Sequence, residues 1–417
     1  MNTPVANPAL TPIPADQRVF NTLAHASLWF SLGVGLLVIQ VGSFLMPAMS
    51  LPAALVAIGI GSIVGAGLLA WVGKLGCDTG LSSAGLMHNV YGSAFAKLPV
   101  LLNIAQLIGW TCFELVIMRE GTQAIAKQVA GVEVHLVVAT LIWGGVLTLL
   151  MTGSMLTLVR KFVSRFGLPL VILSLAWLSW HFVGVAQTKG FEALWNRPGA
   201  GGMSTLQAID LVIAMPISWL PLIADYSRYG RSGGGALRGT WLGYAVANAW
   251  CYVLGVLVIS VSEPGINMVA ALLLAQGGLL ALGLILLDEL DNAYGDVHSA
   301  AVTSQSLLPN WSLKQWGVLI AVACTGLAMV LPMHTLEPFM LMLSSVFIPL
   351  YGVILGRLGW RTPAKMEQSA SVVWSAAAMW LLGVVIFHGM GKVAPQLGSA
   401  LPTLLVTFVL AAATRRR

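Results

Sequence analysis

Residues 29–73 read WFSLGVGLLVIQVGSFLMPAMSLPAALVAIGIGSIVGAGLLAWVG, with no Asp, Glu, Lys or Arg anywhere in the run. A helix needs about 20 apolar residues to cross the roughly 30 Å hydrocarbon layer of a bilayer. The run is too long for one crossing and suits two, with Met46-Pro47 and Ser50-Leu51-Pro52 supplying the turn between them. The rest of the chain has the same character: 417 residues carry 21 Lys+Arg and 15 Asp+Glu, 58% of residues are hydrophobic, and the mean hydropathy is +0.87. Soluble domains are about 25% charged. The 9% found here leaves too few hydrated side chains to cover a protein of this size in water, so lipid is the solvent for most of the surface. The expected fold class is an all-α integral membrane protein.

Charge-free windows of crossing length occur near 26–46, 52–73, 98–118, 134–154, 166–185, 208–224, 240–260, 273–303, 315–333, 337–356, 372–390 and 399–413, which predicts twelve transmembrane helices. Cytoplasmic loops hold an excess of Lys and Arg, which tests that division independently. Sixteen basic residues fall on one side: Arg18, Lys74, Lys97, Arg160, Lys161, Arg165, Arg228, Arg231, Arg238, Lys314, Arg357, Arg361, Lys365 and Arg415 to Arg417. Arg119, Lys127, Lys189, Arg197 and Lys392 make up the other five. The split puts both termini in the cytoplasm of a cell bounded by an inner membrane, and it accounts for the net charge of +6 without a nucleic-acid partner. Residues 1–25, with Pro4, Pro8, Pro12 and Pro14, lack the apolar core of a cleavable signal and read as a cytoplasmic tail, as do the basic residues 414–417. Cys77, Cys112, Cys251 and Cys324 are scattered, in neither a disulfide framework nor a zinc spacing.

Two spans are interrupted. The first contains Trp29-Phe30-Ser31-Leu32-Gly33-Val34-Gly35, and the sixth Met215-Pro216-Ile217-Ser218-Trp219-Leu220-Pro221. In hydrocarbon every backbone N–H and C=O needs a partner, so a helix breaks only where its backbone lines a cavity or meets another helix. Paired interrupted helices at equivalent positions of two halves point to an inverted-repeat transporter with its ligand at the breaks. Gly and Pro are also simply common in membrane helices. Gly61-xxx-Gly65 in the second span is a close-packing surface.

Ionisable residues deep in a span are costly and therefore candidates for function. The eighth span holds Asp288-Glu289-Leu290-Asp291-Asn292-Ala293-Tyr294-Gly295-Asp296-Val297-His298-Ser299. Asp288, Asp291 and Asn292 share a helical face. Carboxylates this close cannot all ionise in a low dielectric, so one holds a proton or pairs with a cation. The alternative is a solvated face at the cytoplasmic exit. The third span aligns Asn103, Gln106, Trp110 and Glu114 at spacings of 3, 4 and 4; Glu114 is interior on this reading, or a boundary residue beside Arg119 and Glu120. Gln40 in the first span faces either ligand or a neighbouring helix. Asp225 with Arg228 and Arg231 reads as local ion pairing of a loop. An intramembrane enzyme using Asp288, Asp291 and His298 is a rival reading, but no second histidine, His-Glu-x-x-His or Gly-x-Ser-x-Gly accompanies them. No metal or organic cofactor is expected. A channel would need a repeated filter that the sequence lacks.

Four stretches resemble nucleobase:cation symporter family 1, the cytosine, allantoin and hydantoin permeases. Ala224-Asp225-Tyr226-Ser227-Arg228-Tyr229-Gly230-Arg231 is similar to the family's Ala-Asp-Phe-x-Arg-Phe-Gly-Arg signature after helix six. Asp291-Asn292-Ala293 resembles the helix-eight Asp-Asn-Ala of cytosine permeases, Gln106 to Gly109-Trp110 the Gln and Gly-Trp of helix three, and Gly73-Lys74 through Thr79-Gly80-Leu81-Ser82-Ser83 the loop after helix two. The resemblance implies a five-plus-five inverted repeat, here 26–185 and 208–356, followed by two extra helices at 372–413. It implies a small heterocycle stacked between Trp110 and a helix-six aromatic, for which Trp219 is the candidate, with Gln40, Gln106, Glu114, Ser218, Asp288 and Asn292 reading its edge. A coupling cation, H+ or Na+, would lie by Gly33, Gly35, Asp288, Glu289 and Asp291. Sodium-coupled members carry small hydroxyl residues where this chain has Asp288 and Glu289, which brings proton coupling into play. An acidic helix-eight motif of this kind occurs in the hydroxymethylpyrimidine permease branch, so hydroxymethylpyrimidine, a thiamine precursor, or cytosine is the expected cargo.

Overall fold

The computed structural model describes residues 7–153, 167–332, 336–359 and 370–414. Of the basic residues used for orientation, Arg160, Lys161, Arg165, Arg361, Lys365 and Arg415 to Arg417 lie outside the described residues. The helices are α1 (Thr22–Ser31), α2 (Leu36–Ser43), α3 (Leu51–Thr79), α4 (Ser83–Tyr91), α5 (Lys97–Ala130), α6 (Leu136–Leu150), α7 (Leu168–Thr188), α8 (Phe191–Trp195), α9 (Thr205–Ser218), α10 (Leu220–Ser227), α11 (Gly233–Val261), α12 (Met268–Leu273), α13 (Gly278–Leu307), α14 (Leu313–Ala328), α15 (Leu336–Leu358), α16 (Trp374–Val393) and α17 (Ala400–Ala413). Among the described residues seven spans are long and apolar enough to cross a membrane, counting α9 and α10 as one, and the pair α1 and α2, bent by 61°, makes an eighth. α6, α14 and α17 are shorter apolar helices. α13 has the length, 30 residues, but carries four carboxylates, Asp288, Glu289, Asp291 and Asp296. Large apolar side chains such as Val56, Ile60, Trp180 and Val385 stand exposed on the outside, as a lipid-facing surface requires.

Several boundaries move from their expected places. α5 runs to Ala130, well past 118, which puts Glu114 in mid-helix and removes its reading as a boundary residue. α3 continues to Thr79, where Gly80, at φ 70°, ends it in the left-handed conformation open to glycine. The loop that follows contains α4, opened by the Ser82 hydroxyl accepting from the Gly85 N–H at 2.9 Å. The first helix begins at Thr22 rather than 26. The preceding segment is bound rather than free: Phe20 exchanges hydrogen bonds of 2.9 Å with Tyr229 and Arg231, the Ile13 N–H donates to the Gly80 carbonyl at 2.9 Å, and the Asn7 amide donates to the Ser306 carbonyl at 3.0 Å. It straps the ends of α3, α10 and α13 together.

Both interrupted helices lie against glycine-rich faces of unbroken ones. A Cβ at Gly61 would fall 2.6 Å from the Cβ of Val212, one at Gly65 2.3 Å from the Cγ of Pro216, and one at Gly76 2.7 Å from the Cα of Ala224, so α3 cradles α9 and α10 along their length. α11 does the same for α1 and α2, with Gly243 against the Ala26 carbonyl and Gly255 against that of Ile39. Without a hydrophobic driving force between helices in lipid, such close approach supplies the van der Waals contact that holds them. Asp210 on α9 accepts the backbone N–H of Ala400 at 2.8 Å and that of Ser399, which fastens the start of α17 to the bundle.

Gly65→Val is expected to push Pro216 and α9 away at a cost of about 1–3 kcal/mol or more, lowering the thermal unfolding temperature of detergent-purified protein. Gly59→Ala, where nothing lies within 4 Å of the added Cβ, is the control and is expected to leave it unchanged.

Candidate functional site

The gap between α1 and α2 leaves backbone groups without helical partners, and α13 supplies them. The Glu289 carboxylate accepts the N–H groups of Leu36 and of Leu37, the latter at 3.2 Å, at the N-terminus of α2. Anionic groups are favoured at that end of a helix because its orphan donors and dipole point at them. The Asn292 amide donates to the Val34 carbonyl at 3.0 Å, and the Ser31 hydroxyl donates to Asp288 at 2.9 Å. Gly35 makes this approach possible, since a Cβ there would lie 3.0 Å from a Glu289 carboxylate oxygen.

The second gap is served by α5 in the same way. α9 ends at Ser218 and α10 starts at Leu220, with Trp219 between. The Gln106 amide donates to the Ser218 carbonyl at 3.3 Å and to Asn103 at 3.1 Å, and the Asn103 amide donates to the Pro221 carbonyl at 2.9 Å. Each broken helix thus has its loose backbone bonded by polar side chains of one long, unbroken helix.

Between the two gaps lies a narrow void of about 20 Å³, which in this conformation has room for about one water molecule. Trp110 and Trp219 form aromatic walls, Leu32, Leu37, Val38 and Met215 apolar ones, and Gly35, Glu114, Ser218, Glu289, Asn292 and Asp296 the polar lining. Trp219 is held edge-on by Trp29 at 5.9 Å, and Trp110 by Phe339 of α15 at 5.4 Å. Phe339 also packs on Gly109. These walls are almost wholly buried, Glu114 being 3% and Asp296 2% exposed. Asp288, Glu289 and Asp296 are buried, which excludes a solvated face for them, while Asp291 is half-buried.

Of the residues expected at the site, Gly35, Trp110, Glu114, Ser218, Trp219, Glu289 and Asn292 line the void. The others do not. Gln40 points along its own helix, its amide 3.4 Å from the Ser43 hydroxyl. Gln106 is occupied by the α9 carbonyl. Gly33 packs on Ala247 and Tyr244 of α11. Asp288 turns to Ser31, and Asp291 likewise lies off the void, each with a buried carboxylate oxygen lacking a partner. His298 stacks on Tyr294 at 6.1 Å, apart from the void, so the trio of Asp288, Asp291 and His298 proposed for catalysis does not converge there. Among the described residues no group of three or more His, Cys, Asp or Glu is arranged to hold a metal ion. Asp296, Phe339 and Met215 were not singled out from the sequence; for Asp296 the i, i+4 spacing from Asn292 was the available signal.

Beyond the void, toward the N-terminal strap, Asp225 is fully buried and its partners are not arginines. It accepts the Ser83 backbone N–H at 2.9 Å and the Ser299 hydroxyl, while Arg228 donates its Nε–H to the Asp225 backbone carbonyl at 3.3 Å and lies over the Tyr229 ring. The expected ion pairing is replaced by hydrogen bonds that tie α4, α10 and α13 across that end of the bundle.

A family model described as permease for cytosine/purines, uracil, thiamine, allantoin matches residues 12–404. Among solved structures, the chain is similar to Mhp1, a nucleobase-cation-symport-1 family transporter, in a closed conformation with bromovinylhydantoin bound: 17% identity, TM-score 0.79, covering 97% of this chain and 93% of that one. MhsT in complex with L-phenylalanine gives 16% identity and a TM-score of 0.62 over 94% and 98% of the two chains. A substrate-bound, outward-open Na+-coupled sialic acid symporter gives 10% and 0.61 over 96% and 89%. At these identities the likeness is one of fold. Comparison with curated proteins by sequence gives no match.

Glu289→Ala leaves two buried N–H donors unbonded at about 1–3 kcal/mol each, whereas Glu289→Gln keeps an acceptor in place. The alanine variant is expected to unfold at a clearly lower temperature than the glutamine variant in a thermal melt of purified protein.

Proposed function

The chain belongs to the family of permeases for cytosine/purines, uracil, thiamine and allantoin, transporters and not enzymes, and from that premise we propose that it is a secondary active importer of a pyrimidine-type heterocycle. The observation that carries this reading is the void between Trp110 and Trp219 where both helix breaks meet. A flat ring stacks on an indole face, and stacked aromatic pairs gain about 0.5–1.5 kcal/mol beyond the area they bury. Hydroxymethylpyrimidine or cytosine is the cargo this reading favours. The protein sits in the inner membrane with both termini cytoplasmic and twelve crossings, and the strap and the Asp225 bonds close its cytoplasmic end.

The service of the α1–α2 gap by α13 and of the α9–α10 gap by α5 supports a five-plus-five inverted repeat, because exchanging the two halves exchanges the two arrangements. α16 and α17 then lie outside the repeat. Transport proceeds by one bundle rocking against the other around the fixed site.

The coupling cation, H+ or Na+, is assigned to the Ser31, Asp288 and Asp291 region beside the α1–α2 gap. Unpartnered carboxylate oxygens of Asp288 and Asp291 are buried there, and a buried carboxylate without a partner either holds a proton or takes a cation. Glu289, occupied by the α2 N-terminus, links that region to the void: its other oxygen accepts from Asn292 at 3.3 Å.

Uptake of radiolabelled hydroxymethylpyrimidine, cytosine and allantoin into proteoliposomes, with sodium and proton gradients imposed separately, tests the reading. Uphill accumulation of a pyrimidine under one gradient is the expected result; flux without accumulation would mark a channel and reject it. Trp110→Ala is expected to reduce binding at least about tenfold, as loss of some 1.4 kcal/mol of stacking and packing implies. Asp288→Asn is expected to change the dependence of uptake on pH or sodium, measured as initial rates across both gradients.

A further inference from the structure

Beneath the N-terminal strap, where α1, α3 and α10 come together, three donor atoms of different kinds face one corner. A Cβ built on Gly230 would meet the Cys77 Sγ at 2.7 Å, the His25 Nε2 at 2.8 Å and the Ser227 carbonyl at 2.9 Å. Glycine leaves that corner to the three donors. His25 is 0% and Cys77 1% exposed, and Cys77 is a free thiol. Neither ring nitrogen of His25 has a hydrogen-bond partner among the described residues, and the Ser227 hydroxyl has none either. Buried polar groups are normally paired, so an imidazole with both nitrogens unbonded calls for a partner beyond the protein, water or an ion.

Each donor comes from a different helix. His25 lies in the first turn of α1, Cys77 in the last turn of α3, and Ser227 at the end of α10. The strap covers them: the Arg18 guanidinium donates to the Cys77 carbonyl at 3.0 Å, and the Phe20 ring stands edge-on to His25 at 5.7 Å. The corner shares no residue with the lining of the void between the helix breaks.

Thiolate and imidazole are the side-chain donors that soft metal ions select. We propose that Cys77 and His25 form a binding site for a soft monovalent cation of the Cu+ type, held between Sγ and Nε2, with the Ser227 carbonyl as a weaker third contact. The Cys77 thiol gives its proton to bulk water as the metal–sulfur bond forms, the imidazole binds in its neutral form, and no electron is transferred. Charge decides the valence. One thiolate and one monovalent cation sum to zero, which a dry site tolerates, whereas a divalent ion would bury a net positive charge. Asp78, next along α3, is paired with Lys74 and does not cancel that charge. The number of ligands agrees: structural zinc sites take four, and among the described residues no third His, Cys, Asp or Glu joins this pair. A bound ion ties the first interrupted helix to the helix that cradles the second.

The test is anaerobic titration of purified full-length protein in detergent with Cu+, read by competition with a chromophoric Cu+ chelator, and X-ray absorption of the loaded protein at the copper edge. The expected result is one tightly bound ion per chain with one sulfur and one nitrogen in its shell. Cys77→Ser and His25→Gln are each expected to weaken binding at least about 100-fold, since even the outer-shell partners of a metal are worth about 10–100-fold. Gly230→Ala keeps both ligands but fills the corner, and the same loss is expected. Absence of stoichiometric binding to the wild type, leaving adventitious metal only, would overturn the assignment. A shell of sulfur alone would overturn it too, pointing instead to Cys112, whose thiol donates to the Cys324 carbonyl at 3.6 Å. Unchanged affinity in Cys77→Ser would do the same. The wild-type stoichiometry and shell need no substitution, so a variant that fails to fold does not blunt the result.

Discussion

The carboxylate of Glu289 on the N–H groups of Leu36 and Leu37 is the interaction on which the site depends. Lipid offers no hydrogen bonds, so an interrupted helix survives at membrane depth only if protein groups replace the partners it has lost. Glu289, Asn292 and Asp288 do so for the first interrupted helix, and Asn103 and Gln106 for the second. The gaps and the void between them exist because α13 and α5 carry polar groups at those depths. Some polar residues inside the bundle hold the breaks, while others, Glu114 and Asp296 among them, line the void between the breaks.

Closing the molecule is a separate task with separate residues. Glycine faces on α3 and α11 let the broken helices lie close against straight ones, and the Tyr252 hydroxyl of α11 donates to the Leu211 carbonyl of α9 at 3.0 Å. At the strap end, Asp225 ties α4, α10 and α13 through Ser83 and Ser299, and residues 7–20 cross over the same helix ends. These bonds are few, and they join parts of both interrupted halves.

The class of the protein, its interrupted first and sixth spans and its acidic eighth span were legible in the residues themselves. Hydrophobic run length fixes membrane helices because the bilayer has one thickness, and Gly and Pro mark breaks because they act on the backbone locally. The stripe of Asn103, Gln106, Trp110 and Glu114 was legible too, since helical spacing alone puts those residues on a face. Periodicity could not say what each residue of a stripe meets. Gln106 and Glu114 share a helix and a stripe, yet one is spent on the Ser218 carbonyl and the other faces the void; Gln40 reads as a ligand amide and bonds within its own helix. Spacing determines direction about a helix axis, whereas the partner at the end of a side chain is set by the neighbouring helix and its height, and those are fixed only when the whole bundle packs.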